Sequence, residues 1–254
     1  RLIIINPNEK VTSESVNETN ENKPVKNEND NEEEEYYEAV ISKPKKNQDS
    51  RTSISLFTEY LDFNLKNCLE NDILTNTMKV KVALEVAFGM AHLHKLGIIH
   101  RDLRIDNIML NSGFEAKIIN FGLVHHGIDE MLSRDIGTLT YMSPEMQNED
   151  EYDNKTDVYS YGVVLYAVFT GKLPKQKMKD KLNKVPPHFP KPSSTISNVC
   201  IELIKNCMSF DANERPPFVK IIEYMNQNSF ALADEVDFEI ISRRYHELIG
   251  LIEQ

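Results

Sequence analysis

The chain has 254 residues, enough for one large domain or two modest ones with a substantial buried core. Its 40 acidic residues outnumber 29 basic ones, and the net charge of −11 excludes a non-specific nucleic-acid binder, which needs a cationic surface. No signal-peptide pattern opens it, no apolar run approaches the roughly 18 residues that span a bilayer, and three cysteines (Cys68, Cys200, Cys207) are too few for a disulfide framework, which points to a reducing, cytoplasmic setting.

The first residue is Arg1 rather than Met, so a processed start or a fragment is expected. The segment RLIIINPNEK reads as a short strand, Leu2–Ile5, closed by a turn at Asn6-Pro7-Asn8. From Val11 to Glu35 the aliphatic residues are Val11, Val16 and Val25, set among many Glu and Asn. Such a stretch cannot bury enough surface to offset its chain entropy, so most of 11–50 is expected to be disordered. A solvated insert is the simpler role for it; a docking tail for a basic partner, through Glu32–Glu35, is the alternative. Order resumes with a strand over Ser53–Phe57.

Residues Thr77–Leu96 carry a helical stripe of Val82, Val86, Met90 and Leu93, stopped by Gly97. His92 and His94 lie two apart on that helix and face different ways, and all seven histidines read as structural or surface residues. Two apolar pieces, Asn107–Leu110 and Ala116–Ile119, flank Asn111-Ser112-Gly113 and form a hairpin. Residues Asp157–Thr170 are apolar nearly all round, as in a helix buried within a domain, with Gly171 and Pro174 behind it. Further helices are expected over Ile196–Met208 and Pro217–Asn226. The tail spaces Phe238, Ile241, Tyr245, Leu248 and Ile252 as an amphipathic helix, which either packs on its own domain or binds a partner.

Polar motifs frame the hairpin. IIHRDLRIDNIML precedes it and INFGLV follows it; GTLTYMSPE, TDVYSYGVV and NERPPF come later. Each alone fits an ordinary turn or core segment. Together, in this order and at these spacings, they resemble the protein kinase family, over about residues 51–228 and the strand at 2–5. His100-Arg101-Asp102-Leu103, with Asn107 five residues past the Asp, is similar to the catalytic loop. Asn120-Phe121-Gly122 stands where the family has Asp-Phe-Gly, and Ser143-Pro144-Glu145 where it has Ala-Pro-Glu. Thr58-Glu59-Tyr60-Leu61 resembles the gatekeeper and hinge. GTxxYMxPE resembles the tyrosine-kinase-like serine/threonine branch; Arg104, in place of the usual Lys, leaves Ser/Thr against Tyr specificity open.

The resemblance implies an α+β, protein kinase-like fold: a mainly helical C-terminal lobe (62–230) and a remnant of the β-rich N-terminal lobe (strand at 1–10, insert at 11–50, strand and hinge at 51–61), then the helix of 231–254. It implies ATP and Mg²⁺ as cofactors and a protein substrate or signalling partner, with neither nucleic acid nor a membrane span. Asp102 would orient the acceptor hydroxyl and take its proton, Asn107 would ligate Mg²⁺, and Arg104 and Thr138 would bracket the phosphate. Backbone groups of Glu59 and Leu61, beside Thr58, would meet the adenine edge, with Met109 below the ring. Arg101 would receive a phosphorylated activation loop, with Ser133 the best acceptor. Asp157 would tie the buried helix to the loop holding His100, and Glu145 would pair with Arg215.

Two features depart from the family. Asn120 replaces a metal-binding Asp, and a neutral amide ligates hard cations more weakly than a carboxylate. No G-x-G-x-x-G and no V-A-I-K-like strand precede residue 51, and Lys43, Lys45 and Lys46 lie in a polar, Pro-containing stretch. These elements are expected upstream of Arg1, or the gene product lacks them. The function expected is therefore a Ser/Thr-type protein kinase domain, weakly active or inactive as it stands; the alternative is a pseudokinase acting as an interaction module.

Overall fold

The computed structural model describes residues 3–4, 36–39, 56–120, 136–148, 151–175 and 185–252. The chain divides into two units, residues 1–61 and 62–254. In the first, strands β1 (Ile3–Ile4), β2 (Tyr36–Ala39) and β3 (Leu56–Glu59) form an antiparallel sheet in the order β1-β3-β2. Ile3 lies opposite Phe57, and Tyr36 to Ala39 run opposite Glu59 to Leu56. Strand β2 falls inside the segment expected to be disordered. Its Tyr-Tyr pair is β-favouring and gains a ladder only by meeting a distant partner. The rest of 11–50 lies outside the described residues. Of the strand expected over Ser53–Phe57, Leu56 and Phe57 are among the described residues and lie in β3, which runs on through Thr58 and Glu59.

The second unit begins with β4 (Phe63–Asn64) and helix α1 (Leu65–Glu70), whose first turn is capped by the Asn64 side chain. Helix α2 (Asn76–Lys95) is capped by Thr75 and ends at Gly97, whose φ of 74° is open to glycine at little cost. The hairpin follows as β5 (Ile108–Leu110) and β6 (Ala116–Ile118), with Ile108 opposite Ile118 and Leu110 opposite Ala116. Short helices α3 (Ile136–Tyr141) and α4 (Pro144–Gln147) precede α5 (Lys155–Thr170). Then come α6 (Asn198–Cys207), α7 (Phe218–Asn228) and α8 (Phe238–Ile252).

Helix α5 is the axis of the core: every residue from Thr156 to Phe169 is buried. Such a helix needs neighbours on all sides. Tyr161 donates its hydroxyl to the Ala83 carbonyl of α2 at 2.9 Å, and its ring meets Phe218 of α7 edge-on. On another side α6 comes so close that a Cβ on Gly162 would stand 2.6 Å from Met208 Cγ and 2.9 Å from Cys207 Cβ. Cys200 and Cys207 of α6 are fully buried, and burial pushes both thiols far above their ordinary range. Cys68 is buried too, and all three are free thiols. The tail helix packs on its own unit: Ile241 is buried, and the Tyr245 ring meets Phe88 of α2 edge-on at 5.8 Å. Phe238, in the first turn of α8, is 52% exposed and stands outside that stripe.

Gly162→Ala is expected to lower stability by about 1–2 kcal/mol despite alanine's better helix propensity, because the Cys207 Cβ has no rotamer with which to yield. Gly89→Ala, whose added carbon would meet the mobile tip of Ile118 at 2.9 Å, is expected to cost less. Urea denaturation midpoints of the two variants check the order.

Candidate active site

The loop between α2 and β5 gathers the polar residues of the His-Arg-Asp motif. Its anchor is Asp157, on the first turn of α5 and fully buried. Asp157 accepts hydrogen bonds from the backbone N–H groups of His100 and Arg101, each at 2.8 Å, and from His94 Nε2 at 2.9 Å. This holds Arg101 at a φ of 67°, a conformation that costs a non-glycine residue about 1 kcal/mol or more. His100 Nδ1 accepts the Asp102 N–H at 3.2 Å, so its proton sits on Nε2 and is donated to the Ile119 carbonyl at 3.1 Å. The start of the loop is thereby tied to the end of the hairpin.

Three side chains then meet in a chain of hydrogen bonds. Asn107 Nδ2 donates to the Asp102 carbonyl at 2.7 Å and to Asp102 Oδ2 at 3.0 Å. Both partners only accept, so the Asn107 amide is fixed with its oxygen facing away from Asp102. That oxygen accepts from Asn120 Nδ2 at 2.9 Å. Asn120 follows β6 with a φ of 63°, in the left-handed region that Asn tolerates better than most residues. Asp102, Asn107 and Asn120 are therefore one cluster within the larger unit.

Arg104 is drawn to Asp106. Its Nε and Nη2 lie 3.0 and 2.9 Å from Asp106 Oδ2, and its guanidinium lies over the Tyr141 ring at 5.7 Å. Lys66 of α1 reaches the other Asp106 oxygen at 3.2 Å. Burial pushes the Asp106 carboxyl up, but the hydrogen bonds and charges of Arg104 and Lys66 outweigh it and hold the group below its ordinary value. Thr138 lies in α3. Met109 of β5 is partly buried and its sulfur accepts from Asn64 Nδ2 at 3.5 Å. In the smaller unit, Thr58 lies opposite Tyr37 and Glu59 opposite Tyr36, with Leu61 just beyond the strand. The Arg101 guanidinium lies 5.8 Å from the Tyr152 ring centre. Phe121, Gly122 and Ser133 fall outside the described residues.

Beneath the segment following α3, Arg215 is buried and forks onto Glu145 at 2.6 and 2.8 Å. It also donates to the carbonyls of Lys155 and Ser209, at 3.0 and 2.8 Å, and stacks over Tyr159. Ser143 and Thr156 share a hydrogen bond of 2.7 Å, and Ser160 donates to the Tyr141 carbonyl at 2.8 Å. The segment around Pro144 is thus bolted to α5.

A loop of this composition, followed by a hairpin and a buried helix that anchors it, invites comparison with known proteins. The family model described as the protein kinase domain matches residues 9–227. The chain belongs to the protein kinase family. It is 35% identical over 158 residues to RGS domain-containing serine/threonine-protein kinase A of Dictyostelium discoideum, which is 58% of this chain and 13% of that protein. It is 32% identical over 163 residues to serine/threonine-protein kinase STY46 of Arabidopsis thaliana, covering 61% of this chain and 28% of that protein. Over 174 residues it is 33% identical to dual specificity protein kinase pyk3 of Dictyostelium discoideum, covering 66% and 13%. The chain therefore spans only a minor part of the length of the relatives it matches. The match ends before α8, and no helix of the described residues is long and apolar enough to cross a membrane.

Kinase domains in general use ATP and Mg²⁺. The residues of this kinase domain do not fit the metal. Its two candidate ligands are neutral amides, and the Asn107 oxygen, an atom a cation would need, accepts from the Asn120 NH₂. Among the described residues no group of three or more His, Cys, Asp or Glu stands ready to hold a metal ion.

Several participants carry no local signal. His94 and Lys66 enter through contacts made across 40 or more residues, with Asp157 and Asp106. Asp106 is the one with a visible cue, an acid two residues beyond an Arg in a loop.

Burial pushes the Glu145 carboxyl up, but the Arg215 hydrogen bonds and charge outweigh it and hold the group below its ordinary value of 4.5. Its stabilisation is therefore full above that value and lost as pH falls through the depressed one. Glu145→Gln is expected to cost about 3 kcal/mol near pH 7, in the range for breaking a buried pair, and the difference from the parent protein should vanish in acid. Urea midpoints measured from pH 7 to pH 3 check both the size and the sign.

Proposed function

We propose that this chain is part of a Ser/Thr-type protein kinase domain that keeps the hydroxyl-orienting half of its site and has lost the metal-binding half. As it stands it transfers phosphate from ATP to protein hydroxyls slowly or not at all. The observation that carries this reading is the Asn120-to-Asn107 amide hydrogen bond. Asp102, its carboxylate steadied by Asn107, is the group to orient the acceptor hydroxyl and take its proton as the oxygen attacks the γ-phosphorus and the bond to ADP breaks. The reading gives the adenine edge to backbone groups at Glu59 and Leu61, beside Thr58, and the underside of the ring to Met109. It gives the phosphate to Arg104 and Thr138, and the activation-loop phosphate, at Ser133, to Arg101. Arg104 must leave Asp106 to act so. Phe121 and Gly122 keep the places that the family motif assigns them.

Magnitudes favour a deep impairment. To admit a cation, Asn107 must give up a hydrogen bond worth about 1 kcal/mol, and Asn120 must turn its oxygen inward. A unit charge at ~4 Å is worth about 4 kcal/mol at an effective dielectric of ~20, and Asn120 does not supply it. A net deficit of even ~3 kcal/mol costs on the order of 100-fold in metal affinity or rate.

The same amide pair favours a second reading, a pseudokinase that presents its surface to a signalling partner. Three free, buried thiols fit a reducing compartment, so either reading places the protein in the cytoplasm.

In the full-length protein, Asn120→Asp is expected to raise Mg²⁺-dependent phosphotransfer on the order of 100-fold, and Asp102→Asn to abolish it. Phosphotransfer assays, with calorimetry of Mg²⁺·ATP binding, check this. No gain with Asn120→Asp, in a protein that binds ATP, favours the partner-presenting module. Full activity in the unaltered protein, at the roughly 1–100 s⁻¹ usual for kinases, sinks the metal argument.

A further inference from the structure

Helix α8 lies beyond residue 227, where the match to the kinase domain ends, yet one of its side chains reaches a buried carboxylate of α2. Glu85 of α2 is buried, with its side chain 2% exposed. Its Oε2 accepts the Ala116 N–H of β6 at 2.7 Å, and its Oε1 accepts Arg244 Nε of α8 at 2.6 Å. Arg244 also pairs with Glu115, in the hairpin turn, at 3.0 Å, and with Glu247 of α8 at 3.0 Å. Lys81 Nζ stands 3.7 Å from Glu85 and donates to the Gly113 and Phe114 carbonyls of the same turn. The turn is closed internally by Asn111, which accepts from the Gly113 and Glu115 N–H groups and donates to the Glu115 carboxylate. At its other end the hairpin is tied by the Ile119 N–H to the Asn107 carbonyl at 3.0 Å and by His100 to the Ile119 carbonyl. Only Lys117, Ile118 and Ile119 separate Ala116, the residue that Glu85 holds, from Asn120.

We propose that Arg244 is a positioning residue for this hairpin: its guanidinium neutralises the buried Glu85 carboxylate, which then holds the Ala116 N–H and fixes the strand that leads to Asn120. The tail helix is on this account a working part of the site's scaffold. The physical reason is the cost of an uncompensated buried charge. Lys81, 3.7 Å away, shares in offsetting the Glu85 charge but is beyond hydrogen-bond distance and donates to the turn carbonyls, so Arg244 is the cation that also hydrogen-bonds the carboxylate and ties it to α8. The inference does not depend on whether the domain transfers phosphate.

Burial pushes the Glu85 carboxyl above its ordinary value even with Ala116, Lys81 and Arg244 holding it down. A carboxyl raised in the folded state stabilises less as pH rises, so the harm from losing Arg244 should grow with pH and shrink in acid, where Glu85 becomes neutral. Other charged or titratable groups near Glu85 are Glu115 and Lys117 of the hairpin, Glu247 of α8 and His92 of α2.

The test uses the full-length protein with Arg244→Met, Glu85→Gln and the double variant. The readouts are amide hydrogen exchange at Ala116 and Ile119 and the pH dependence of the thermal midpoint. Arg244→Met is expected to speed exchange at both amides at least tenfold while amides of α7 stay as they were, and its midpoint defect should narrow towards acid. The double variant should recover most of the protection, because the neutral amide that Glu85→Gln introduces would still accept from the Ala116 N–H without a buried charge. If Arg244→Met does not fold, the double variant should. Equal loosening of α7 and the hairpin, a defect independent of pH, or a double variant no better than Arg244→Met overturns the proposal in favour of plain packing by α8.

Discussion

A single buried carboxylate organises the larger unit. Asp157 sits at the start of the helix that is enclosed along nearly its whole length, and it accepts three hydrogen bonds, two from the backbone of the His-Arg-Asp loop and one from His94. Removing such a charge from water is tolerable only with several donors aimed at it, and the N-terminal end of a helix adds to them. What Asp157 provides in return is geometry. It holds Arg101 in a left-handed conformation, which turns His100 towards the Ile119 carbonyl and delivers Asp102 to Asn107. Without that anchor the loop would have no reason to prefer this path over an ordinary turn.

Downstream of the anchor, two amides join the Asp102 carboxylate in one hydrogen-bonded cluster. Asn107 and Asn120 close on each other, and the nearby cation, Arg104, is drawn to Asp106 together with Lys66. Each of these contacts lowers the need for an external ion. The Asn107 amide and the Arg104 guanidinium thus both find partners within the chain.

The regular core was legible in the sequence because its signals are local. Gly97 and Gly171 end α2 and α5, both with positive φ, and Asn111-Ser112-Gly113 marks the hairpin turn. Helix α5 announced itself by being apolar on every side. The family motifs located the loop around Asp102 and the Glu145–Arg215 pair by order and spacing. What escaped depends on distant partners. The strand Tyr36–Ala39 lies in an acidic stretch and exists by pairing with β3. Arg244 meets Glu85 across 159 positions, and nothing in either neighbourhood says that a surface-looking arginine will answer a buried acid. The short helices α3 and α4 are too brief for periodicity to reveal them.

The buried thiols have a practical side. The chain contains no tryptophan, so the usual intrinsic fluorophore for following denaturation is missing. Cys200 and Cys207 lie on the α6 face that presses against α5 at Gly162, and Cys68 is enclosed in α1. A thiolate is the reactive form, and burial suppresses it at all three positions. Alkylating reagents would thus tag only molecules whose helices have parted, and the pace of tagging becomes a clock for how often this interior opens.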